Sequence, residues 1–206
     1  MHFLSGPRGQ PERLGILPGS FNPPTRAHLA LAEAALGDPH ARLGEVVLVL
    51  PRSFPHKKYD GANFTQRADM LRAAVDRQPS LAAAASAGGL FIEIAQECRG
   101  AYGPSTQLTF VCGRDAAERV VGWDYGNPNA INQMLETFQL LVACREGTYE
   151  PPAHLRRYIS AMALPADLNS VSASDVRRRI REGLPWQHLV PDAIIPMVRE
   201  VYRPLA

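Results

Sequence analysis

Residues 19–28 read Gly-Ser-Phe-Asn-Pro-Pro-Thr-Arg-Ala-His, a run of types suited to holding phosphate. Gly19 lets the backbone turn sharply and approach a ligand with no Cβ in the way. Pro23 and Pro24 fix their own φ angles and stiffen the entry to a helix, where a missing N–H costs little. Asn22 is a candidate cap for that helix. The helix start offers backbone N–H groups and the positive end of its dipole, a site for an anion. Thr25 and His28 stand three positions apart, so a hydroxyl and an imidazole share one face of the first turns and point at a bound phosphate chain. As donor or imidazolium, His28 would stabilise charge gathering on a phosphoryl oxygen in a transition state.

The elements that must position this turn can be read on either side of it. Leu14 to Leu17 is a short apolar run suited to a buried strand, and Thr25 to Leu36 is a helix closed by Gly37-Asp38-Pro39. Glu45 to Leu50 reads as a second buried strand. Phe64 to Arg77 has a helical apolar period, and the Ala-rich stretch from Ser80 to Gly89 reads as its tail and then a loop. Further strands are expected at Leu90–Ala95, Leu108–Cys112, Phe138–Cys144 and, more weakly, Ile159–Leu164. Residues 96–107 hold Gly100, Gly103 and Pro104 and look too short for a crossover helix. A short helix is expected over Asp115–Val121 and a loop over residues 126–129. Ser174 serves as the expected N-cap of a helix that Gly183 ends, and a last helical segment covers Ala193 to Tyr202. Strands alternating with helices define an α/β class: a Rossmann-like, doubly wound parallel sheet with helices on both faces. It would form a single domain over residues 13–206, after a flexible leader over 1–12. Ligands in such sheets sit beyond the carboxyl ends of the strands, and the first glycine turn lies at such an end.

Composition narrows the classes further. The chain has 206 residues, 46% hydrophobic and 20% charged, which argues against wholesale disorder. Its 22 basic and 20 acidic residues give a net charge of +2, too balanced for bulk nucleic-acid or membrane binding, so any anion site must be local. The longest apolar runs fall far short of a membrane span. Cys98, Cys112 and Cys144 form no C-x-x-C pair and sit in or beside apolar runs, as buried thiols do in a reducing cytoplasm.

The whole of residues 19–28 resembles the phosphate-binding signature of the HxGH nucleotidylyltransferases, roughly G-[ST]-F-[DN]-P-x-[HT]-x-x-H. Gly19, Ser20, Phe21, Asn22, Pro23, Thr25 and His28 match it. Thr25 stands where many members carry a first histidine, as in phosphopantetheine adenylyltransferases and eukaryotic-type nicotinamide mononucleotide adenylyltransferases, and Ala27 replaces a common glycine. Far downstream, Val171-Ser172-Ala173-Ser174-Asp175-Val176-Arg177 resembles the second signature of that superfamily, I-S-S-T-x-x-R, with one hydroxyl missing at Ala173. The resemblance implies that Ser172 and Ser174 bind ATP at a second helix start. It also implies that Arg177 places a guanidinium on the β- or γ-phosphate.

Other segments resemble the nicotinate/nicotinamide mononucleotide adenylyltransferases. Pro55-His56-Lys57-Lys58 followed by residues 64–71 resembles the part of that family that binds the mononucleotide, with Lys57 on a phosphate and Arg67 anchoring the segment. Gly113-Arg114-Asp115 resembles its G-x-D, whose acid contacts a ribose hydroxyl, and Trp123 resembles a tryptophan that stacks near the nicotinic ring. Residues 189–194 with Val201-Tyr202 look like its C-terminal helix pattern. The resemblance implies an enzyme that joins the AMP part of ATP to a pyridine mononucleotide and releases pyrophosphate. His28, Thr25 and Arg177 would be catalytic, Gly19, Ser20, Phe21, Gly113, Asp115, Ser172 and Ser174 would hold ATP, and Lys57, Arg67 and Trp123 would hold the mononucleotide. Mg²⁺ would be held mainly by ATP phosphates, with no metal ligands from the protein. Neither a nucleic acid nor a membrane is implied as partner, the location implied is cytoplasmic, and the oligomeric state is left open, a homo-oligomer included. Two alternatives stand beside this reading: another nucleotidylyltransferase, acting on phosphopantetheine or using CTP, and a non-catalytic nucleotide-binding module.

Overall fold

The computed structural model describes residues 1–7, 9–53, 61–127, 129–144, 149–163 and 171–203. Among these, seven strands form one sheet: β1 (His2–Phe3), β2 (Arg13–Pro18), β3 (Glu45–Pro51), β4 (Leu81–Ser86), β5 (Gln107–Gly113), β6 (Gln139–Cys144) and β7 (Ile159–Ala163). They lie in the order β1-β4-β3-β2-β5-β6-β7. Every neighbouring pair is parallel except β1 with β4. The chain starts its parallel run at β2, works outward through β3 and β4, then returns to the other side of β2 through β5. That reversal of direction opens a crevice at the carboxyl end of β2, where an open α/β sheet takes its ligand.

Side chains of β2 and β3 alternate between the two faces, as a pleated strand requires. Leu14, Ile16, Val47 and Val49 pack into one apolar layer with Ile94, Ala95, Ala117 and Leu135. Leu17, Val46, Leu48 and Leu50 pack into the other, with Ala32, Ala35, Leu71 and Val75. The second face is covered by α1 (Arg26–Gly37) and α2 (Phe64–Val75), the first by α3 (Phe91–Tyr102), α4 (Arg114–Gly122) and α5 (Ala130–Thr137). A third apolar cluster joins Met70 and Ala74 of α2 to α6 (Ala173–Arg181) and α7 (Ile195–Val201), through Val176, Ile180, Trp186, Leu189, Val198 and Tyr202. It brings the last thirty residues of the described chain back over the first glycine turn.

The α/β class and helices on both faces agree with the sequence reading, but residues 80–105 do not. The Ala-rich stretch is strand β4, buried at every position, not a helix tail. Alanine is the best intrinsic helix former, but propensity yields to tertiary context, and here strand pairing on both sides overrides it. The expected strand Leu90–Ala95 is the start of α3. Ile94, Ala95, Cys98 and Tyr102 are its buried positions, a 3.6 period that outranks the short alternation in Phe91-Ile92-Glu93-Ile94. Gly103, at φ +101, follows as its C-cap, so the crossover helix judged too short is twelve residues long. Helix α5 begins directly after the stretch expected as a loop over residues 126–129. Ser172 caps α6, not Ser174: its Oγ accepts from the Asp175 amide at 3.1 Å. Residues 2 and 3, inside the stretch expected as a loose leader, pair with Ala85 and Ala84, and the Ser5 hydroxyl accepts from the Ala83 amide at 2.8 Å. Among the described residues no helix is long and apolar enough to cross a membrane.

Candidate active site

The turn between β2 and α1 is built from close approaches. Its first amide, Gly19 N–H, donates to the Val49 carbonyl at 3.0 Å and extends the strand pairing by one residue. A Cβ at Gly19 would come within 2.9 Å of the Phe21 ring, so the ring can lie over the turn only because position 19 has none. Phe21 is fully buried at φ +45, a left-handed conformation that costs a residue with a side chain about 1 kcal/mol or more unless its surroundings hold it. The Phe21 ring meets the His28 ring edge-on, with centroids 5.1 Å apart and planes at 63°.

His28 is fixed from its other side by the helix cap. Thr25, fully buried, is the N-cap of α1. Its backbone N–H donates to His28 Nδ1 at 2.9 Å, and its Oγ1 lies 2.8 Å from the same nitrogen. A backbone N–H can only donate, so Nδ1 is the acceptor and the ring proton resides on Nε2. The Thr25 hydroxyl, expected to face phosphate, is turned onto His28. Asn22, the candidate cap, is engaged elsewhere.

Two arginines hold the carbonyl oxygens of the turn. Arg67, 3% exposed on α2, donates from Nη1 to the Ser20 carbonyl at 3.0 Å and from Nε to the Asn63 carbonyl at 3.4 Å. Arg177 of α6 donates from Nη1 to the Asn22 carbonyl at 2.5 Å and from Nη2 to the Ser174 hydroxyl at 3.4 Å. Asn22 itself is buried; its Oδ1 accepts from the Tyr202 hydroxyl at 2.5 Å and from the Ala62 amide at 3.3 Å. Burial pushes the Tyr202 hydroxyl well above the usual phenol range, against the pull of Arg177 and Arg67, and keeps it a donor. On α6, hydrogen bonds from Arg179 and Arg178 hold the Asp175 carboxyl below its usual range, so those two cations are bound to a protein anion.

Gly19, Ser20, Phe21, Thr25, His28, Arg67, Ser174 and Arg177 therefore meet at one turn, with Ser172 at the head of α6. Gly113 and Asp115 stand at the carboxyl end of β5, the strand next to β2, and Trp123 at the far end of the helix that follows. Gly113 is the N-cap of α4 and Trp123 ends it. Trp123 is 54% exposed and lines an open groove of about 640 Å³ with Asp115, Glu118, Arg119 and Gly122. A larger groove, about 1060 Å³ between α1, α2 and residues 191–193, contains Arg26, Arg72 and Arg77 but neither the glycine turn nor Arg177. Lys57 lies outside the described residues. No group of three His, Cys, Asp or Glu residues that could hold a metal ion occurs among the described residues. The pairing of Asn22 with Tyr202 was not foreseen from the sequence; a hydrogen bond spanning 180 positions leaves no local signal.

Sheet order and turn together define the class: a doubly wound α/β protein with a glycine turn at the switch point of its sheet. The chain belongs to the Cytidylyltransferase-like family, whose model matches residues 16–179, well over half of its length. It is 27% identical over 191 residues to "Probable nicotinate-nucleotide adenylyltransferase" of Carboxydothermus hydrogenoformans, covering 87% of this chain and 91% of that one. It is 28% identical over 212 residues to the protein of the same name in Moorella thermoacetica, covering 95% and 94%. In fold it is similar to Plasmodium falciparum nicotinic acid mononucleotide adenylyltransferase complexed with NaAD. That likeness has a TM-score of 0.67 at 16% identity and covers 92% of this chain and 97% of the other.

Proposed function

We propose that this protein transfers the adenylyl group of ATP to nicotinate or nicotinamide mononucleotide and releases pyrophosphate. The observation that carries the reading is the His28 ring, locked by Thr25 with its proton on Nε2 at the head of α1 and flanked by the turn that Arg177 holds. In the reaction a 5′-phosphate oxygen of the mononucleotide bonds to the α-phosphorus of ATP while the bond from that phosphorus to the bridging oxygen breaks. The electron pair of the broken bond leaves with pyrophosphate. Two anions must meet, so the protein's task is positioning and charge neutralisation, with no covalent intermediate.

In this reading His28 donates from Nε2 to a phosphoryl oxygen as negative charge gathers there, and Thr25 is the residue that orients the imidazole. Gly19, Ser20 and Phe21 shape the turn under the phosphates, Arg67 holds that turn, and Arg177 with Ser172 and Ser174 faces the outer phosphates. Gly113 and Asp115 meet the ATP ribose, Trp123 stacks on the pyridine ring, and Lys57 receives the incoming phosphate. Mg²⁺, held mainly by the ATP phosphates, would supply charge neutralisation there.

Pyrophosphate release measured with each nucleoside triphosphate and each acceptor tests this reading. Turnover with ATP and a pyridine mononucleotide is the expected result. Turnover with CTP alone, or with phosphopantetheine alone, would replace it with one of the other activities, and none with any pair would leave a non-catalytic nucleotide-binding module.

A further inference from the structure

We infer that Tyr202, acting through Asn22, is a positioning residue of the phosphate turn, so that the end of α7 helps to set the geometry of the triphosphate site. The inference rests on the adenylyl-transfer reading only in taking the turn to be the triphosphate site. Asn22 lies between Phe21, held at φ +45, and Thr25, which orients His28. A strained residue keeps its conformation only where neighbours over-determine it. Asn22 provides that anchoring from three directions. Its Oδ1 takes the Tyr202 hydroxyl at 2.5 Å and the Ala62 amide at 3.3 Å, and its carbonyl takes Arg177 Nη1 at 2.5 Å.

The fit around the pair is close. A Cβ at Gly61 would meet Tyr202 Cε1 at 2.9 Å and Asn22 Oδ1 at 3.4 Å, and the backbone there runs at φ +99, open to glycine. Tyr202 is 9% exposed and Asn22 4%, so water is a poor substitute for the hydroxyl. The ring of Tyr202 packs in the third apolar cluster, and Phe can supply that packing without the hydrogen bond. Without the hydroxyl, the Asn22 side chain loses its tie to α7 and shifts about its remaining contacts. The carbonyl that holds Arg177 and the Phe21 ring that abuts His28 then shift with it. Both groups serve the triphosphate, and Trp123, on the neighbouring strand's helix, does not depend on the pair.

The test is Tyr202→Phe, Asn22→Leu and the double variant, with Leu189→Ala as a control that weakens the same apolar cluster without removing a polar group. Steady-state kinetics, with each substrate varied in turn, are run well below every melting temperature. The ratio to wild type is taken with whichever triphosphate and acceptor the wild type turns over. Wild-type turnover thus judges the function, and the ratios judge Tyr202. The expected result is a roughly tenfold loss of kcat/KM for the triphosphate in Tyr202→Phe, about 1.4 kcal/mol, with the acceptor KM within about twofold. The double variant should be no worse than Asn22→Leu, as expected for two groups acting through one bond. Leu189→Ala should melt lower yet keep its triphosphate parameters. Wild-type triphosphate kinetics in Tyr202→Phe would overturn the inference. So would losses that add in the double variant, or an equal kinetic loss in Leu189→Ala, which would make Tyr202 a purely structural residue.

Discussion

His28 holds two separable positions in the structure, and one substitution separates them. Its Nδ1 accepts from the Thr25 amide at 2.9 Å, closing the first turn of α1, while Nε2 carries the proton that the proposed reaction offers to phosphate. Asparagine places an acceptor Oδ1 where histidine has Nδ1, both bonded to Cγ, and has no atom at the position of Nε2. In His28→Asn the cap is kept and the donor lost; in His28→Ala both go. Losing a capping acceptor costs about 1 kcal/mol, which for a domain of this size lowers Tm by roughly 2–4 °C. Removing a preorganised donor to a developing oxyanion costs about 2.7–4 kcal/mol, or roughly 10²–10³ in kcat. Alanine should therefore lose both stability and rate, and asparagine the rate alone. Thermal melts and pyrophosphate release at saturating ATP read the two quantities from the same samples. A His28→Asn enzyme with kcat within about threefold of wild type would remove the Nε2 donor from the mechanism. A His28→Ala melt equal to wild type would remove the cap.

Other perturbations follow from the same geometry. Gly19→Ala puts a methyl within 2.9 Å of the Phe21 ring, so overpacking should cost about 1–3 kcal/mol and kcat/KM should drop at least tenfold as that ring moves against His28. Calorimetry and kinetics on this variant measure both. Trp123→Ala should leave Tm within about 1 °C, because the ring is 54% exposed. The same change should raise the mononucleotide KM by roughly tenfold, as loss of a base-stacking platform does. Burial pushes the Cys98 and Cys112 thiols up to about 12, so iodoacetamide at pH 8 should label them only after unfolding. Since the folded state keeps these protons longer than the unfolded one, their contribution to stability is full below the unfolded thiol pKa. It is lost as pH rises through that value towards 12, and denaturant melts between pH 7 and 10 should show the decline.

The glycine turn was legible because its chemistry restricts residue types at close spacing. Gly19 must lack a Cβ under Phe21, and Thr25 and His28 must stand three apart to meet across one helical turn. The strands flanking it were legible for a similar reason, as β-branched runs bounded by Pro and Gly. Residues 80–105 misled because alanine's helix preference is overridden in β4 and Leu90–Ala95 carries two periods at once; the choice was made by what packs on β3, far away in sequence. Thr25 was singled out beside His28, but that its hydroxyl turns onto the imidazole follows from its place as N-cap of α1, which spacing alone does not encode. Arg67 was expected to anchor the mononucleotide segment; that its guanidinium holds the Ser20 carbonyl, 47 positions earlier, emerges only in three dimensions. Burial of all three cysteines agrees with their placement in apolar runs.

The contacts of Asn22 also order events in time. Its partners Arg177 and Tyr202 lie 155 and 180 positions further along the chain. At a synthesis rate of about 5–20 residues per second, that interval is roughly 10–40 s. Throughout it the nascent protein already carries the glycine turn, yet without either of these fasteners. ATP affinity should therefore rise late, when α7 docks, and not when the turn itself emerges. On the proposed function, a ribosome-bound chain would thereby bind nucleotide only after α7 has docked, and ATP would stabilise only molecules that have reached that point.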